Sequence, residues 1–155
     1  MYRLLMVDFF QPEIPAKTVL DSPKAMNDVF EIRRRVFVIE QEVAAEEEFE
    51  YEEQSNHLMV HMGGQGMGCG RWRRTENGIK IERMAVLETY RGKGVGAMVM
   101  RGLLKDIPHV PHLPIYLHAQ THAQSFYEKL GFVAEGDLFY ECEIPHYKMV
   151  LAQRS

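Results

Sequence analysis

The centre of the chain changes its hydrophobic pattern from that of a strand to that of a helix. An apolar, strand-like run covers residues 79–87, and a turn at Thr89 and Tyr90 leads into the glycine-rich segment RGKGVG. Apolar residues then recur at helical spacing, at Val95, Met98, Val99, Leu103 and Ile107. The pattern predicts a strand, a glycine loop and a helix in direct succession.

Comparable patterns predict the other elements. Ser22 is a typical helix N-cap with Pro23 at the first helical position, and Gly131 is a typical left-handed helix cap. The predicted strands cover residues 3–10, 17–20, 57–61, 68–73, 115–118, 132–137 and 147–151, and the further helices cover 23–38 and 121–130. This order indicates a mixed, three-layer α/β sheet. We expect one domain over residues 1–155, with residues 1–15 as an N-terminal arm or extra strand.

Composition narrows the class of protein. The 155 residues are 46% apolar and 26% charged, which is typical of a globular domain, and the net charge of −4 argues against a nucleic-acid partner. The two cysteines form no CxxC motif, which fits a reducing compartment. No apolar run approaches the ~20 residues of a membrane span, and the N-terminal residues MYRLLMVDFF are too short for a signal peptide. We therefore expect a cytoplasmic protein without a membrane partner.

The histidines do not form a convincing metal site. His57 and His61 lie four residues apart on a predicted strand, while His118 and His122 are split between a strand and a helix. No carboxylate completes a ligand set near either pair, so we predict that the protein binds no metal.

Two charged runs have alternative interpretations. The arginines at positions 33–35 are expected to form a solvated helix face, with a ligand role as the alternative. The acidic run EEEFEYEE at positions 46–53 is expected to be a solvated loop. Its alternative role is a negative rim that attracts a cationic amine substrate.

The glycine loop predicts an anion site at a helix N-terminus. The first N–H groups of a helix lack internal partners and the helix dipole adds positive charge there, so a phosphate can bind if the backbone can approach closely. The loop fits neither GxxxxGK[ST] nor GxGxxG, but it fits [RQ]xxGx[GA] through Arg91, Gly94 and Gly96. The alternative is that the glycines serve only tight packing.

With a second motif, the loop resembles the GNAT acetyltransferase superfamily. The segment LHAQTHAQSFYEKLGF matches a frame in which a strand ends in a polar residue followed by xxAxxxYxxxGF, at Gln120, Ala123, Tyr127, Gly131 and Phe132. Gln120 departs from the commoner Asn of that frame. The segments VFVIEQEVAAEEEFEYEE and EIPHYKM are similar to the ElaA-like and YjcF-like branch. The resemblance covers about residues 16–150.

The resemblance implies the fold and the cofactor. It implies a three-layer α/β/α arrangement with a mixed, mostly antiparallel sheet and splayed central strands, and acetyl-CoA or CoA as co-substrate. The predicted cofactor-binding residues are Met84, Ala85, Val86, Arg91, Gly92, Lys93, Gly94, Val95, Gly96, Ala97, Gln120, Ala123 and Tyr127. The loop amides would hold the pyrophosphate, and the strand edge at residues 84–86 would hold the pantetheine.

The chemistry of acetyl transfer needs an acid and a base. Tyr127, placed by the family frame, is predicted to protonate the leaving thiolate; the alternative is a tyrosine that only packs in the core. An alkylamine needs about 4–5 kcal/mol to lose its proton at pH 7, so a base is useful. Glu82 is our candidate, because strand alternation places it with Met84 and Val86; a surface or salt-bridged glutamate is the alternative. The branch resemblance suggests Glu40, Gln41 and His57 for the acceptor pocket.

Two functions remain open from the sequence. The first is an acyl-CoA-dependent N-acetyltransferase that transfers the acetyl group directly to a small-molecule amine or peptide in a ternary complex. The second is a non-catalytic CoA-binding module of the same fold, with a regulatory or interaction role. The presence of Tyr127 favours the enzyme. The sequence identifies neither the acceptor nor the oligomeric state, and a homodimer is one alternative.

Overall fold

The computed structural model describes residues 2–13, 16–20, 22–45 and 49–152, and the chain falls into two compact units. The first unit comprises Met1–Arg73 and Arg83–Pro108, and the second comprises Arg74–Glu82 and His109–Ser155.

The first unit is a mixed sheet with helices. Strand β1 pairs antiparallel with β2 and parallel with β3, and β3 pairs antiparallel with β4. The elements of this unit are β1 (Arg3–Asp8), β2 (Lys17–Leu20), α1 (Pro23–Arg33), a π-helical segment (Arg34–Glu40), β3 (Asn56–Met62), β4 (Gln65–Thr75, ending in the second unit), a 3₁₀ turn (Glu88–Tyr90) and α2 (Val95–Asp106).

Helices cover both faces of this sheet. Met59 and Cys69 pack in one core with residues of α1, including Met26 and Val29. The neighbouring strand residue Leu58 points to the other face, where it lies against Gly102 of α2. The alternation of side chains along β3 therefore separates two cores, and the predicted three-layer arrangement is confirmed.

Glycines in β4 let α2 pack directly on the strand backbone. A Cβ built on Gly68 would lie 2.8 Å from Val95 Cγ1, and one on Gly70 would lie 2.9 Å from Val99 Cγ1. The segment GGQGMGCG, residues 63–70, contains a turn and a β-bulge. The turn is confined to Gly63 and Gly64. The bulge lies in β4 at Met67, the residue between Gly66, which pairs with His61, and Gly68, which pairs with Val60; the later glycines belong to β4.

The start of α1 is as the sequence predicts. The Ser22 hydroxyl accepts a hydrogen bond from the Ala25 N–H at 3.3 Å, and Pro23 occupies the first helical position. Helical structure continues as π-helical turns to Glu40, slightly beyond the predicted end at Val38.

The prediction that Arg33 belongs to a solvated face is wrong. Its side chain is 1% exposed and donates two hydrogen bonds to the Glu52 carboxylate, at 2.8 and 2.6 Å. Arg33 shares the buried helix face with Val29 and therefore points inward, and its guanidinium lies over the Phe30 and Phe49 rings. Arg34 and Arg35 are exposed, as predicted.

The acidic run at positions 46–53 contains a largely buried carboxylate as well as exposed ones. Glu52 is largely buried with a side chain 13% exposed, whereas Glu50 and Glu53 are exposed. The expectation of a solvated loop is thus wrong for Glu52, because this carboxylate neutralises buried guanidinium charge. Residues 46–48 of the run lie outside the described residues.

The second unit is a smaller mixed sheet with one helix among its described residues. The first part of β5 pairs parallel with β6, which pairs antiparallel with β8, and β8 pairs antiparallel with β7. The elements are β5 (Gly78–Val86, ending in the first unit), β6 (Ile115–Gln120), a 3₁₀ turn (Thr121–Ala123), α3 (Gln124–Lys129), β7 (Phe132–Glu141) and β8 (Ile144–Leu151).

The final hairpin is longer than predicted. The strands extend to a two-residue turn at Cys142 and Glu143, whose φ angles are 49° and 63°. Two successive left-handed residues match the twist of a hairpin and let the strands pair up to Glu141 and Ile144. Neither residue is glycine, asparagine or aspartate, so the sequence carried no turn signal there.

Candidate functional site

The glycine loop of the first unit has the backbone that the sequence predicts. Gly92 and Gly94 adopt φ angles of 78° and 82°, which are left-handed and favour glycine. Gly94 is the N-cap of α2, and its carbonyl accepts a hydrogen bond from the Met98 N–H at 3.1 Å. The chain thus passes from the 3₁₀ turn through two left-handed residues directly into the helix.

This helix N-terminus fits an anionic group. As a glycine, Gly94 provides no side-chain cap, and the first turn of α2 contains no acidic residue. A Cβ at Gly92 or Gly94 would meet no atom within 4 Å, so the space over the loop is open. The amides of Val95, Gly96 and Ala97 belong to the first helical turn, where N–H groups lack intrahelical acceptors. The neighbouring Lys93 is exposed and adds positive charge.

Arg91 fixes the loop through protein contacts. Its Nε donates to the Val86 carbonyl at 3.0 Å, and its Nη2 donates to the two Glu40 carboxylate oxygens at 3.0 and 2.8 Å. The structure thereby brings together Arg91, predicted to bind cofactor, and Glu40, predicted to bind acceptor. Gln41 follows Glu40 at the end of the π-helical segment and is half-buried.

Strand β5 changes direction where the pantetheine was predicted to bind. Arg83 has a φ of 57°, which is rare for a non-glycine residue inside a strand and interrupts the alternation of faces that placed Glu82 with Met84. Pairing with β6 ends at Ile81↔Leu117, while β5 continues to Val86. Residues Met84, Ala85 and Val86 therefore lie beyond the parallel ladder, as expected for a splayed strand.

Glu82, the predicted base, is largely buried. Its carboxylate lies 3.4 Å from Lys80 Nζ, and its side chain is 6% exposed. The salt-bridged alternative considered from sequence thus describes its surroundings, and its role as base stays a prediction.

Tyr127 lies on α3 in the second unit and is 9% exposed. Its ring makes edge contacts with the Phe126 and Phe132 rings, with centroids 5.0 and 6.1 Å apart. Burial raises the pKa of the Tyr127 phenol well above its usual value, so the hydroxyl keeps its proton. Such a group can act as an acid but not as a base at neutral pH.

The other residues of the second motif lie just before Tyr127. Gln120 ends β6, and its side-chain Oε1 lies 2.7 Å from His122 Nε2. Ala123 ends the 3₁₀ turn and caps α3. The predicted contacts of these residues with cofactor stay predictions.

His57, predicted for the acceptor pocket, lies in the first unit beside Glu52, the carboxylate that pairs with the buried side chains of Arg33 and Arg71. Its Nε2 lies 2.9 Å from the Glu52 carbonyl, and its Nδ1 is buried without a partner among the described residues. Burial lowers the pKa of His57; the bond to the Glu52 backbone and the Glu52 charge raise it less, and Arg33 and Arg71 lower it further. The side chain is 1% exposed, so an acceptor does not reach it in this structure.

Sequence reasoning missed a carboxylate–histidine group in the second unit. His118 Nδ1 lies 2.7 Å from Glu141 Oε1, and His146 Nε2 lies 3.9 Å from Glu141 Oε2. His118 was considered only as a metal ligand, and Glu141 follows it by 23 residues. Within the described residues, no three His, Cys, Asp or Glu side chains are placed to hold a metal ion. None of the helices in the described part of the chain is long and apolar enough to span a bilayer.

Comparison with known proteins gives one family. A family model described as an acetyltransferase (GNAT) domain matches residues 22–153. The uncharacterized N-acetyltransferase YjcF of Bacillus subtilis is 38% identical over 134 residues, which are 85% of this chain and 96% of that protein.

Two solved structures are similar to this chain over most of its length. An acyl-CoA N-acyltransferase from Pseudomonas aeruginosa is 30% identical with a TM-score of 0.74, covering 84% of this chain and 92% of that one. Escherichia coli ElaA is 28% identical with a TM-score of 0.75, covering 83% and 91%.

Proposed function

Because the chain belongs to the GNAT family of acetyltransferases, we propose that it transfers the acetyl group of acetyl-CoA directly to an amine within a ternary complex. The observation that carries this proposal is the glycine loop, whose open face presents the uncapped N-terminus of α2. A pyrophosphate is the part of acetyl-CoA that such a site would hold.

The loop amides would bind the pyrophosphate oxygens. Gly92 and Gly94 let those oxygens approach the backbone, and the helix dipole and Lys93 favour their negative charge. Arg91 is engaged by Glu40 and Val86. We therefore assign Arg91 the role of holding the loop in its binding conformation, while the backbone makes the phosphate contacts.

The pantetheine and the thioester need different groups. Residues 84–86 of β5, beyond the ladder with β6, would offer backbone hydrogen bonds to the pantetheine amides. Tyr127 would protonate the sulfur, since its raised pKa keeps the phenol in the acid form. When bound, acetyl-CoA supplies an activated acetyl group, and the protein supplies orientation and protons.

The acceptor is proposed to be a small-molecule amine or a peptide amine. Glu40 is half-exposed beside the loop and could attract a cationic acceptor, with Gln41 next to it. We also propose a cytoplasmic location, because the sequence contains two cysteines that form no CxxC motif, a usage that fits a reducing compartment.

Replacing Gly94 by valine should raise the Kd for acetyl-CoA at least about tenfold, measured by calorimetry. A β-branched residue with φ near 82° is strained, by roughly 1–2 kcal/mol, and its methyl groups would enter the open space over the loop. Gly136 has the same φ of 82° and an equally open Cβ position, so Gly136→Val is the matched control. Unchanged affinity in Gly94→Val would place the pyrophosphate elsewhere.

A further inference from the structure

His118 and Glu82 occupy equivalent places on two parallel strands of the second unit. The last paired residues of β5 and β6 are Ile81 and Leu117. Glu82 and His118 are the next residues of their strands, and both lie on the face that carries the paired residues Lys80 and Tyr116. They are therefore the first side chains beyond the end of the parallel ladder.

The hydrogen bond to Glu141 fixes the tautomer of His118. An ionised carboxylate can only accept hydrogen bonds, so the proton must be on His118 Nδ1. The bond from His118 lowers the pKa of the Glu141 carboxyl; burial opposes this, and the charges of His118, Lys80 and His146 lower it further. Glu141 is therefore ionised at neutral pH, and the lone pair of neutral His118 is on Nε2.

The surroundings hold the His118 ring in place. Its ring contacts the Phe139 ring edge-on with a centroid distance of 4.9 Å, and Phe139 stacks on His146 with an interplanar angle of 22°. His146 Nδ1 donates to the Ile144 carbonyl at 2.7 Å. The Glu141 carboxylate lies between the two histidines, with Oε1 2.7 Å from His118 Nδ1 and Oε2 3.9 Å from His146 Nε2.

His118 is better placed than Glu82 to receive a proton. The Glu82 carboxylate is paired with Lys80 and its side chain is 6% exposed, whereas the His118 side chain is 25% exposed. Among the described residues no polar group engages His118 Nε2. An imidazole oriented by a carboxylate, with its second nitrogen open, is the arrangement used by general bases.

We infer that His118 is the general base of the acetyl transfer, accepting the acceptor's proton on Nε2, and that Glu141 is the residue that positions it; this inference rests on the proposed function. The charged and titratable groups facing His118 from the neighbouring strands are Lys80, Glu82, Glu135, Glu141, His146 and Lys148.

The proton balance assigns each group one task. The acceptor ammonium gives one proton to His118 Nε2, and its freed lone pair attacks the thioester carbonyl carbon. The C–N bond forms as the C–S bond breaks, and the electron pair of that bond leaves on sulfur. Tyr127 gives sulfur a proton and regains one from the nitrogen, so one net proton remains on His118 and passes to solvent.

Steady-state kinetics with acetyl-CoA test this assignment. The probe is whichever of a diamine, an amino sugar, an amino acid and a peptide with a free α-amino group the wild type acetylates fastest. His118→Gln should lower kcat by ~10²–10⁴-fold. It should also remove the fall of kcat/KM at low pH, the acid limb of the pH profile, because no base is left to be protonated there. Glu141→Gln should lower kcat less than His118→Gln does and should also alter the pH dependence of kcat/KM, because the protonated imidazole loses its carboxylate.

Matched variants separate a base from a structural residue. His109→Gln and Glu143→Gln change exposed residues of the same unit and should leave both kcat and the pH profile unchanged. Glu82→Gln should lower kcat by less than tenfold and keep the acid limb. If Glu82→Gln removes the limb while His118→Gln keeps it, the inference is overturned.

A second measurement needs no acceptor. Long-range ¹H–¹⁵N NMR of the wild type should show that the neutral His118 ring carries its proton on Nδ1 and none on Nε2. The opposite tautomer would overturn the inference even if the enzyme is active. Acetyl-CoA binding without thiol release by any amine would instead defeat the proposed function, and the inference with it.

Discussion

Replacing Tyr127 by phenylalanine should lower kcat for acetyl transfer by about 10²–10⁴-fold while leaving acetyl-CoA affinity almost unchanged. The substitution keeps the ring and its edge contacts with Phe126 and Phe132 and removes only the hydroxyl. Within the described residues that hydroxyl has no hydrogen-bond partner, so its loss leaves no buried polar atom unpaired. The effect should therefore fall on catalysis and not on folding.

Kinetics and calorimetry of the same preparation test this prediction. Tyr140→Phe is the control, because Tyr140 is 68% exposed. Burial raises the pKa of Tyr127, so the acid form persists and the wild-type kcat should show no fall near pH 10, where an ordinary tyrosine ionises. A loss of less than threefold with chemistry rate-limiting, well below the usual range, would make Tyr127 a structural residue.

Glu52→Gln should destabilise the protein by about 3–5 kcal/mol, measured by urea unfolding at pH 7. The Glu52 carboxylate accepts hydrogen bonds from Arg33 and, at 2.7 Å, from Arg71, and both arginine side chains are 1% exposed. The neutral amide would leave these buried charges without their carboxylate. Glu50→Gln removes an exposed carboxylate of the same segment and should change stability little.

The difference between wild type and Glu52→Gln should shrink in acid. Burial raises the pKa of Glu52, but the bond from Arg33 and the charges of Arg33, Arg71 and His57 outweigh it, so the pKa is lowered. A lowered pKa means that the stabilisation is present above the unfolded value near 4.5 and is lost as pH falls through the folded one. A difference that stays constant as pH falls would contradict this account.

Protonation of His57 should lower the stability of both the wild type and Glu52→Gln, and this loss should begin at a higher pH than the titration of Glu52. Because burial lowers the pKa of His57, the unfolded chain binds a proton that the folded chain does not once pH falls below about 6.5. Stability of the wild type should therefore begin to fall in that range, before Glu52 titrates.

Local patterns were sufficient for most of the fold. Ser22 and Pro23 marked the start of α1, and Gly131, with a φ of 98°, marked the turn after α3. These signals act over a few residues, so they can be found without knowing the tertiary structure. The order of the elements predicted a mixed sheet, and the resemblance to the GNAT superfamily implied that it is mostly antiparallel; both predictions are confirmed.

Charged residues were harder to predict. Arg33 was expected to be solvated, but its position on the apolar face of α1 was visible in the same helical spacing. What the sequence lacked was its partner, since Glu52 lies 19 residues away and is one of many acids in its run. The pairings Arg91–Glu40 and His118–Glu141, separated by 51 and 23 residues, depend on the fold in the same way.

The most direct test of the central claim is amine-dependent thiol release from acetyl-CoA, with mass spectrometry of the acceptor. Wild-type protein should release one thiol for each acetylated amine, and Tyr127→Phe should bind acetyl-CoA but release thiol at least about 10²-fold more slowly. Tight acetyl-CoA binding with no thiol release for any amine would contradict that claim. The chain would then be a CoA-binding module and not an enzyme.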